Sequence, residues 1–212
     1  MSSFVSATRY YLDRYLQGIP FSGRVIDMGG RRGNTRGSFR PPLDRVACWE
    51  FVNKDPSAKP DYLCGVEAVP VKDGGYDWVV FTEVLEYVDD PRAALKECAR
   101  VLKPGGEIVA SIPFLYPVHP DPFDLQRWTP EKLRREFEGA GLRIKELLPR
   151  GGIVAVILDL INFYHDAPRL TFGMKLFRVI FVRVAPFFLW FDRGTRYKES
   201  LTTGYLIRAV KP

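Results

Sequence analysis

Short apolar runs alternate with polar breaks rich in glycine and proline along most of the chain. Runs of about four to eight β-branched and aromatic residues between such breaks are typical of buried strands. The pattern predicts seven strands, over residues 24–28, 46–53, 62–63, 77–82, 107–112, 142–148 and 203–210. The run at 77–82 is continuously β-branched and aromatic after its first residue, as expected in a parallel sheet covered on both faces.

Helical spacing of apolar residues fills several of the gaps between these strands. Helices are predicted over residues 4–16, 91–102, 130–139 and 153–164. Asp90 and Thr129 each precede a proline and are expected to cap the second and third helix, and Ser2 and Ser3 are candidate caps for the first. Strands that alternate with helices indicate a doubly wound α/β sheet.

Two stretches depart from a minimal version of this plan. Residues 34–45 contain Gly37, Pro41 and Pro42, which leave no room for a full helix between the first two strands. Residues 150–200 form a helical insertion before the last strand, with a second predicted segment at 170–191. We therefore expect a single domain over residues 1–212 that carries this insertion.

Composition supports one compact domain, since 46% of the 212 residues are hydrophobic. The first sixteen residues include Arg9, Asp13 and Arg14 and lack the apolar core of a secretory signal, so a cytoplasmic protein is expected. The chain has three cysteines that form no Cys-x-x-Cys pair. We expect neither a disulfide nor a metal site.

The net charge of +6 is concentrated in residues 168–198, which hold seven basic residues and one acidic residue. Within 170–191, Lys175, Arg178 and Arg183 share one side of a helical wheel, and aromatic and aliphatic residues fill much of the rest. These charges and Pro186 argue against a membrane-spanning helix. This pattern predicts that the segment binds peripherally to the inner face of an anionic membrane. The alternatives are that it packs on the sheet or forms a homodimer contact.

Five motifs follow one another in the order of a known protein family. They are Val25-Ile26-Asp27-Met28-Gly29, Asp55, Glu67-Ala68-Val69-Pro70, the segment 82–88 (Thr-Glu-Val-Leu-Glu-Tyr-Val) and the segment 100–106 (Arg-Val-Leu-Lys-Pro-Gly-Gly). Together they resemble the class I S-adenosylmethionine-dependent methyltransferases of the small-molecule type. The resemblance implies a Rossmann-like, seven-stranded sheet that is mostly parallel with an antiparallel last strand, and S-adenosylmethionine as cofactor.

The resemblance also implies a cofactor site at the carboxyl ends of the strands, where open α/β sheets bind ligands. Gly29 and Gly30 let the backbone approach the methionine part, Asp27 orients its amine, and Asp55 accepts from both ribose hydroxyls. Val66 and Glu67 are expected to contact the adenine, and Thr82 and Glu83 to line the opposite wall. The expected cofactor residues are Asp27, Gly29, Gly30, Arg31, Gly33, Asp55, Val66, Glu67, Thr82 and Glu83.

Two positions differ from the family pattern. Arg31 replaces a glycine of the first loop, and either Arg31 or Arg32 is a candidate partner for the cofactor carboxylate. The alternatives are that these arginines are solvated or face an acidic acceptor. Gly65 stands where similar sequences carry an aspartate that binds the adenine amino group, so that either Glu67 substitutes or cofactor affinity is reduced.

The loop after the fifth predicted strand, residues 113–128, holds the candidates for the chemistry. His119 is a candidate base, oriented by Asp121 or Asp124, and Arg127 would hold an anionic acceptor. The alternative is a proline-stiffened loop in which Asp124 and Arg127 pair with each other. Two further residues, Glu86 and His165, are expected in surface, capping or helix-end roles.

The sequence thus predicts a methyltransferase for a small-molecule or glycan-like acceptor that is lipid-linked or phosphate-bearing. Similar sequences accompany cell-surface polysaccharide assembly, which the resemblance implies. A cofactor-binding relative without catalysis, acting as a membrane or complex partner, is the alternative. Nucleic acid is not expected as a partner, because no Asn/Asp-Pro-Pro-Tyr/Phe motif follows the fourth strand. A nicotinamide-dependent enzyme is also disfavoured, because the Lys103–Gly106 turn and the closing strand match methyltransferases better.

Overall fold

The computed structural model describes residues 6–33, 37–119, 123–165, 184–185, 187–190, 192 and 199–212. Three of the sequence predictions fall wholly or largely beyond these ranges. Asp121, the candidate caps Ser2 and Ser3, and most of segment 170–191 lie outside the described residues.

Seven strands form one sheet. They are β1 (Arg24–Met28), β2 (Cys48–Asn53), β3 (Tyr62–Leu63), β4 (Tyr76–Thr82), β5 (Leu102–Pro113), β6 (Arg143–Pro149) and β7 (Gly204–Val210). Their order across the sheet is β3-β2-β1-β4-β5-β7-β6. Strand β7 runs antiparallel to both β5 and β6. All neighbouring pairs within the first five strands are parallel. The predicted Rossmann-like fold with an antiparallel last strand is confirmed.

The helices also lie close to the predicted positions. They are α1 (Ala7–Gln17), α2 (Pro91–Val101), α3 (Pro130–Gly139) and α4 (Ile153–His165), with short 3-10 turns at Pro56–Ala58 and Leu85–Tyr87. Asp90 and Thr129 cap α2 and α3 as predicted, because each side chain accepts from a backbone N–H in the first turn. The cap of α1 is Ser6, which accepts from the backbone N–H of Arg9 at 3.0 Å, and not Ser2 or Ser3.

The start of β5 differs from the prediction. The Lys103–Gly106 segment was expected to be a turn between helix and strand, but the strand already begins at Leu102. The pairing register with β4 is irregular between Tyr76 and Trp78, so the segment is a bulge within the strand. Within this bulge, Lys103 forms an ion pair with Asp77, whose Oδ1 lies 2.7 Å from the Lys103 Nζ.

Both faces of the sheet are covered, which explains the continuous apolar runs. Ile26, Val79 and Ile108 face a large cluster that includes α2 and α3. Their neighbours Val25 and Val80 face a second cluster around α1. The core therefore fills two layers, and the carboxyl ends of β1 and β4 emerge between them.

Two buried aspartates join the insertion to the N-terminal helix. Asp159 of α4 accepts from the backbone N–H groups of Ala7 and Thr8, at 2.6 and 2.9 Å. Asp192, which is fully buried, accepts from the N–H of Gly152 at 2.7 Å and from the hydroxyl of Tyr11 at 2.8 Å. Each carboxylate binds N–H groups at the start of a helix, where the backbone donors lack intrahelical partners.

The insertion begins as predicted, since α4 spans Ile153–His165. Beyond it, residues 184–185, 187–190 and 192 are helical, and Ala185 and Leu189 pack with Ala155 and Leu158 in a third apolar cluster. Within the part of the chain that the structure describes, none of the helices combines the length and apolar character needed to cross a bilayer.

Replacing Asp192 tests whether this docking stabilises the fold. Asp192→Ala removes the acceptor from buried N–H groups and from Tyr11, so we expect a loss of about 2–4 kcal/mol in the free energy of unfolding, measured by urea denaturation. Asp44→Ala is the matched control: this aspartate is exposed and pairs only loosely with Arg45, so about 0.5 kcal/mol or less is expected. Equal losses in the two variants would contradict the prediction.

Candidate functional site

The predicted cofactor residues lie around the point where the strand order reverses. Strands β1 and β4 are neighbours there, although β2 and β3 precede β4 in the sequence. Asp27 lies in β1, Gly29 and Gly30 follow that strand, and Thr82 is the last residue of β4. Open α/β sheets bind ligands in the crevice at this position.

The turn after β1 requires its first glycine. Gly29 has φ of +88°, and a Cβ at this position would collide with the side chain of Val84. A Cβ on Gly30 would collide with the carboxylate of Asp27, which lies directly against it. Asn53, the last residue of β2, holds the turn by donating from Nδ2 to the carbonyl oxygens of Gly29 and Gly30, both at 3.0 Å.

Asp27 is the titratable group nearest to this turn. Burial raises the pKa of its carboxyl group to about 7, although a hydrogen bond from Trp49 Nε1 at 3.4 Å and the charge of Arg9 act in the opposite direction. Because burial disfavours its charged form, Asp27 is suited to bind a cation that restores this charge.

The two arginines of the loop bind acids of this chain. Arg31 donates from Nη2 to Asp55 Oδ2 at 2.8 Å, and Arg32 donates to both carboxylate oxygens of Asp61 at 2.6 Å. Asp55 also caps the 3-10 turn through Ser57, and the Ser57 hydrogen bonds together with Arg31 lower the pKa of its carboxyl group. The roles of Arg31 at the cofactor carboxylate and Asp55 at the ribose stay predictions.

The segment expected at the adenine shows how Glu67 relates to Gly65. Val66 is buried, and Glu67 folds back so that its Oε2 lies 2.6 Å from where a Cβ on Gly65 would be. The Glu67 carboxylate therefore reaches the space beside Gly65 in which an aspartate side chain would begin. Gly33 has φ of +70°, and none of the described residues lies within 4 Å of its Cβ position; its role at the cofactor stays a prediction.

Glu83, the residue after β4, is held in an unusual conformation. Its φ of +54° lies in the left-handed region. Its Oε1 accepts from Ser111 Oγ at 2.7 Å and from Nη1 of Arg150. Burial alone would raise the pKa of Glu83, but Arg150 outweighs it and the pKa is lowered. Glu83 is therefore an ionised carboxylate at neutral pH.

Glu86 lies three residues further on, and the expectation of a surface or capping role is wrong. It is fully buried, because the turn Leu85–Tyr87 lies beneath the loop that follows β5: Leu125 donates from its backbone N–H to the Glu86 carbonyl at 2.7 Å. Neither carboxylate oxygen has a hydrogen-bond partner among the described residues. Burial and the charge of Glu83 raise the pKa of Glu86 to about 9.

The loop after β5 brings three of the predicted catalytic candidates together. His119 Nδ1 lies 3.0 Å from the carbonyl oxygen of Pro117 and 3.3 Å from Asp124 Oδ2, and Asp124 also pairs with Arg127 through both oxygens. Both the orientation of His119 by an aspartate and the alternative Asp124–Arg127 pair are thus present at once. The rings of Tyr87 and Tyr116 meet His119 edge to face.

Sequence reasoning missed three residues of this site. Arg150, Asn53 and Ser111 all occur in unremarkable local sequence, next to glycines or within a strand. Asn53 could have been predicted as a site residue, because it lies at the carboxyl end of a predicted strand. His165 lies at the end of a helix as expected, since it is the last residue of α4. Among the residues that the structure describes, no group of three or more His, Cys, Asp or Glu could hold a metal ion.

Part of the chain matches a known family in sequence. Residues 42–110 match the family model described as a methyltransferase domain. Over 38 residues the chain is 50% identical to the ubiquinone biosynthesis O-methyltransferase of Sodalis glossinidius (strain morsitans), which covers 18% of this chain and 15% of that protein. The matched segment is therefore a small part of the relative's length.

Solved structures extend the likeness over the whole fold. The crystal structure of the [4+2]-cyclase SpnF is similar with a TM-score of 0.64 at 16% identity, covering 100% of this chain and 84% of that one. Geranyl diphosphate methyltransferase in complex with S-adenosylmethionine is similar with a TM-score of 0.58 at 16% identity, covering 97% of this chain and 85% of that one. Residues 42–110 thus match the methyltransferase-domain family, and the chain has the class I S-adenosylmethionine-dependent methyltransferase fold that its motifs predict.

Proposed function

We propose that this chain is an S-adenosylmethionine-dependent methyltransferase with a small-molecule acceptor. The observation that carries the proposal is the carboxyl group of Asp27 against the Gly29–Gly30 turn, where the strand order reverses between β1 and β4. This group suits the ammonium of the cofactor's methionine part. The methyltransferase-domain match over residues 42–110 supports the same assignment.

The other residues of the crevice fit the remaining parts of the cofactor. Asp55 and Asn53, at the end of β2, would meet the ribose, and Glu67 would accept from the adenine amino group in place of an aspartate at Gly65. Thr82 and Glu83 would form the opposite wall, after β4. When bound, the cofactor supplies a sulfonium methyl group that is transferred to a nucleophile.

His119 is the proposed base for an acceptor that must lose a proton. A carbonyl oxygen can only accept, so Nδ1 of His119 carries the proton that it shares with Pro117, and Nε2 is left as the basic nitrogen. Asp124 lies close enough to Nδ1 to stabilise the imidazolium that forms. Asp121 stays a prediction, and Arg127 would meet an acceptor anion while paired with Asp124.

A lipid-linked acceptor is supported by an exposed apolar face on the insertion. Trp190 and Phe187 are 62% and 65% exposed, and Ile157, Leu160 and Phe163 of α4 are also exposed. The same insertion holds the excess positive charge of residues 168–198. Apolar side chains beside basic ones suit peripheral binding to an anionic lipid surface. A glycan-like acceptor and polysaccharide assembly stay predictions from the family resemblance.

A non-catalytic relative is the competing candidate, since a shared fold does not by itself imply a shared function. Its sequence basis is Arg31 in place of a glycine and the missing acid at Gly65. The Arg31–Asp55 pair bears on this alternative, because an ion pair within the chain occupies part of the surface expected for the ribose. Cofactor binding without turnover across acceptor panels would favour it.

The pH dependence of cofactor affinity tests the role of Asp27. If Asp27 binds the ammonium, binding lowers its pKa from about 7 and releases a proton. Affinity should therefore rise with pH up to about 7, by at most about tenfold per pH unit, and level off above it. Calorimetry with S-adenosylhomocysteine in buffers of different ionisation enthalpy measures both affinity and proton release.

The Asp27→Asn variant separates this effect from titration of the cofactor's own amine, which occurs near pH 8. We expect affinity at pH 7.5 to fall about tenfold or more in this variant and the proton release below pH 7 to disappear. Asp44→Asn, at an exposed position, should leave both unchanged. No cofactor binding at any pH would overturn the proposed function.

A compensating pair of substitutions tests the adenine side. Glu67→Ala should weaken S-adenosylhomocysteine binding about tenfold, and Gly65→Asp combined with Glu67→Ala should restore it, because the new carboxylate begins beside the space that Glu67 leaves. S-inosylhomocysteine lacks the amino group, and the wild-type preference against it should be lost in Glu67→Ala alone. Glu138→Ala on the surface of α3 is the control. An unchanged preference in Glu67→Ala would contradict the role.

Vesicle co-sedimentation tests the lipid-binding face. The wild-type protein should pellet with vesicles of phosphatidylglycerol and phosphatidylcholine and not with phosphatidylcholine alone. Phe187→Ala with Trp190→Ala should reduce binding about tenfold, whereas Leu43→Ala, equally exposed elsewhere, should not. Absence of binding to anionic vesicles would refute the membrane proposal, and loss of a dimer in the double variant would assign the face to self-association.

A further inference from the structure

Arg150 occupies a position built to enclose its side chain. It follows β6 directly and is fully buried. Its backbone is fixed on both sides, because its N–H donates to the Gly204 carbonyl at 2.8 Å and its carbonyl accepts from Thr203 Oγ1 at 2.6 Å. Gly204 also makes room for the guanidinium, since a Cβ there would lie 2.6 Å from Nη2 of Arg150.

The guanidinium of Arg150 uses one of its edges and not the other. Nη1 donates to Glu83 Oε1, whereas Nε and Nη2 have no hydrogen-bond partner among the described residues. The N–H bonds of Nε and Nη2 point the same way from one edge of the planar group and match the two oxygens of a carboxylate. Buried donors of this kind are rarely left without an acceptor.

Two other arginines of this chain show what that edge binds. Arg92 donates from Nε and Nη2 to the two oxygens of Glu136, at 2.8 and 3.0 Å. Arg100 donates from the same two nitrogens to Glu97, both at 2.7 Å. In both of these arginines the chain itself supplies a carboxylate to this edge.

The surroundings of Arg150 add donors and little net charge. Glu86 is fully buried without a partner for either oxygen among the described residues, and Nε of the neighbouring Arg127 also has none there. The raised pKa of Glu86, about 9, makes it a neutral acid with an O–H to donate at pH 7. Arg150 is balanced by Glu83 and Arg127 by Asp124. Such a cluster suits a ligand with two acceptor oxygens and a single negative charge better than a phosphate dianion.

We propose that the Nε and Nη2 edge of Arg150 binds a carboxylate of the methyl acceptor, with Glu86 donating a further hydrogen bond to it. The inference rests on the proposed methyltransferase function and names the substrate class of that site, an acceptor that carries a carboxylate. Glu83, at the end of β4, accepts from Nη1 of Arg150 and from the hydroxyl of Ser111 in β5, so that both strands fix the acceptor that orients Arg150. Arg150 is in this proposal a substrate-binding and specificity-determining residue.

Nuclear magnetic resonance of the arginine Nε–H groups tests the contact directly, without turnover. The sample is the full chain labelled with 15N-arginine and saturated with S-adenosylhomocysteine, and the signal of Arg150 is assigned by through-bond correlation and by Arg150→Lys. Benzoate is the probe, because the rings of Tyr87 and Tyr116 border the same loop; benzamide and phenyl phosphate are the matched neutral and phosphate probes.

The Arg150 Nε–H signal should shift saturably with benzoate and remain unchanged with benzamide. Arg150→Lys keeps the charge opposite Glu83 but lacks the two-donor edge, so benzoate affinity should fall at least tenfold, and by more than S-adenosylhomocysteine affinity falls. Arg92→Lys, whose edge binds Glu136, is the control and should leave benzoate affinity unchanged. Should Arg150→Lys fail to fold, the wild-type titration decides by itself.

The pH profile provides a readout that a purely structural arginine would not give. Benzoate affinity should fall as the pH rises through about 9, because ionised Glu86 repels the carboxylate, and Glu86→Gln should remove this fall. No shift with benzoate, or tighter binding of phenyl phosphate, would overturn the carboxylate assignment. Benzoate that competes with S-adenosylhomocysteine would assign the edge to the cofactor instead. The benzoate titration of cofactor-free protein stays measurable even if the cofactor does not bind, so failure of the proposed function is distinguishable.

Discussion

The ion pair between Glu83 and the buried Arg150 is the contact on which the site depends. It joins the end of β4 to the end of β6, across two intervening strands of the sheet. Arg150 is fully buried, so removal of Glu83 would leave its charge uncompensated at a cost of about 3–5 kcal/mol. The left-handed backbone of Glu83 persists because Ser111 and Arg150 hold its side chain.

Two carboxyl groups three positions apart therefore have opposite properties. Glu83 faces a guanidinium and is ionised, whereas Glu86 is fully buried near that negative charge and holds its proton. Environments that push the pKa values of neighbouring acids apart are how one site provides both a charged acceptor and a neutral donor. Because Glu83 accepts from Nη1 of Arg150, the Nε and Nη2 edge is the one proposed to bind a ligand.

The described part of the insertion packs against the N-terminal helix. Asp192 binds the first turn of α4, and Asp159 of α4 binds the first turn of α1, so the two helices and the end of the insertion stabilise one another. Among the described residues of the insertion, Phe187 and Trp190 are exposed, and the sequence of residues 168–198 has an excess of basic residues. The lipid-binding proposal follows from that arrangement.

The sequence by itself determined the strands, most helix ends and the order of the motifs, because periodicity, caps and glycine turns act over a few residues: Asp90 and Thr129 cap as their local sequence predicts. Only the tertiary structure decided the partners of Arg31, the burial of Glu86 and the place of Arg150. Arg150 meets Glu83 across 67 positions and Asp192 meets Tyr11 across 181, and no local pattern encodes such contacts. The first exists because the sheet order brings the ends of β4 and β6 together, and the second because the insertion packs against α1. Burial at such contacts then sets the charge of each group.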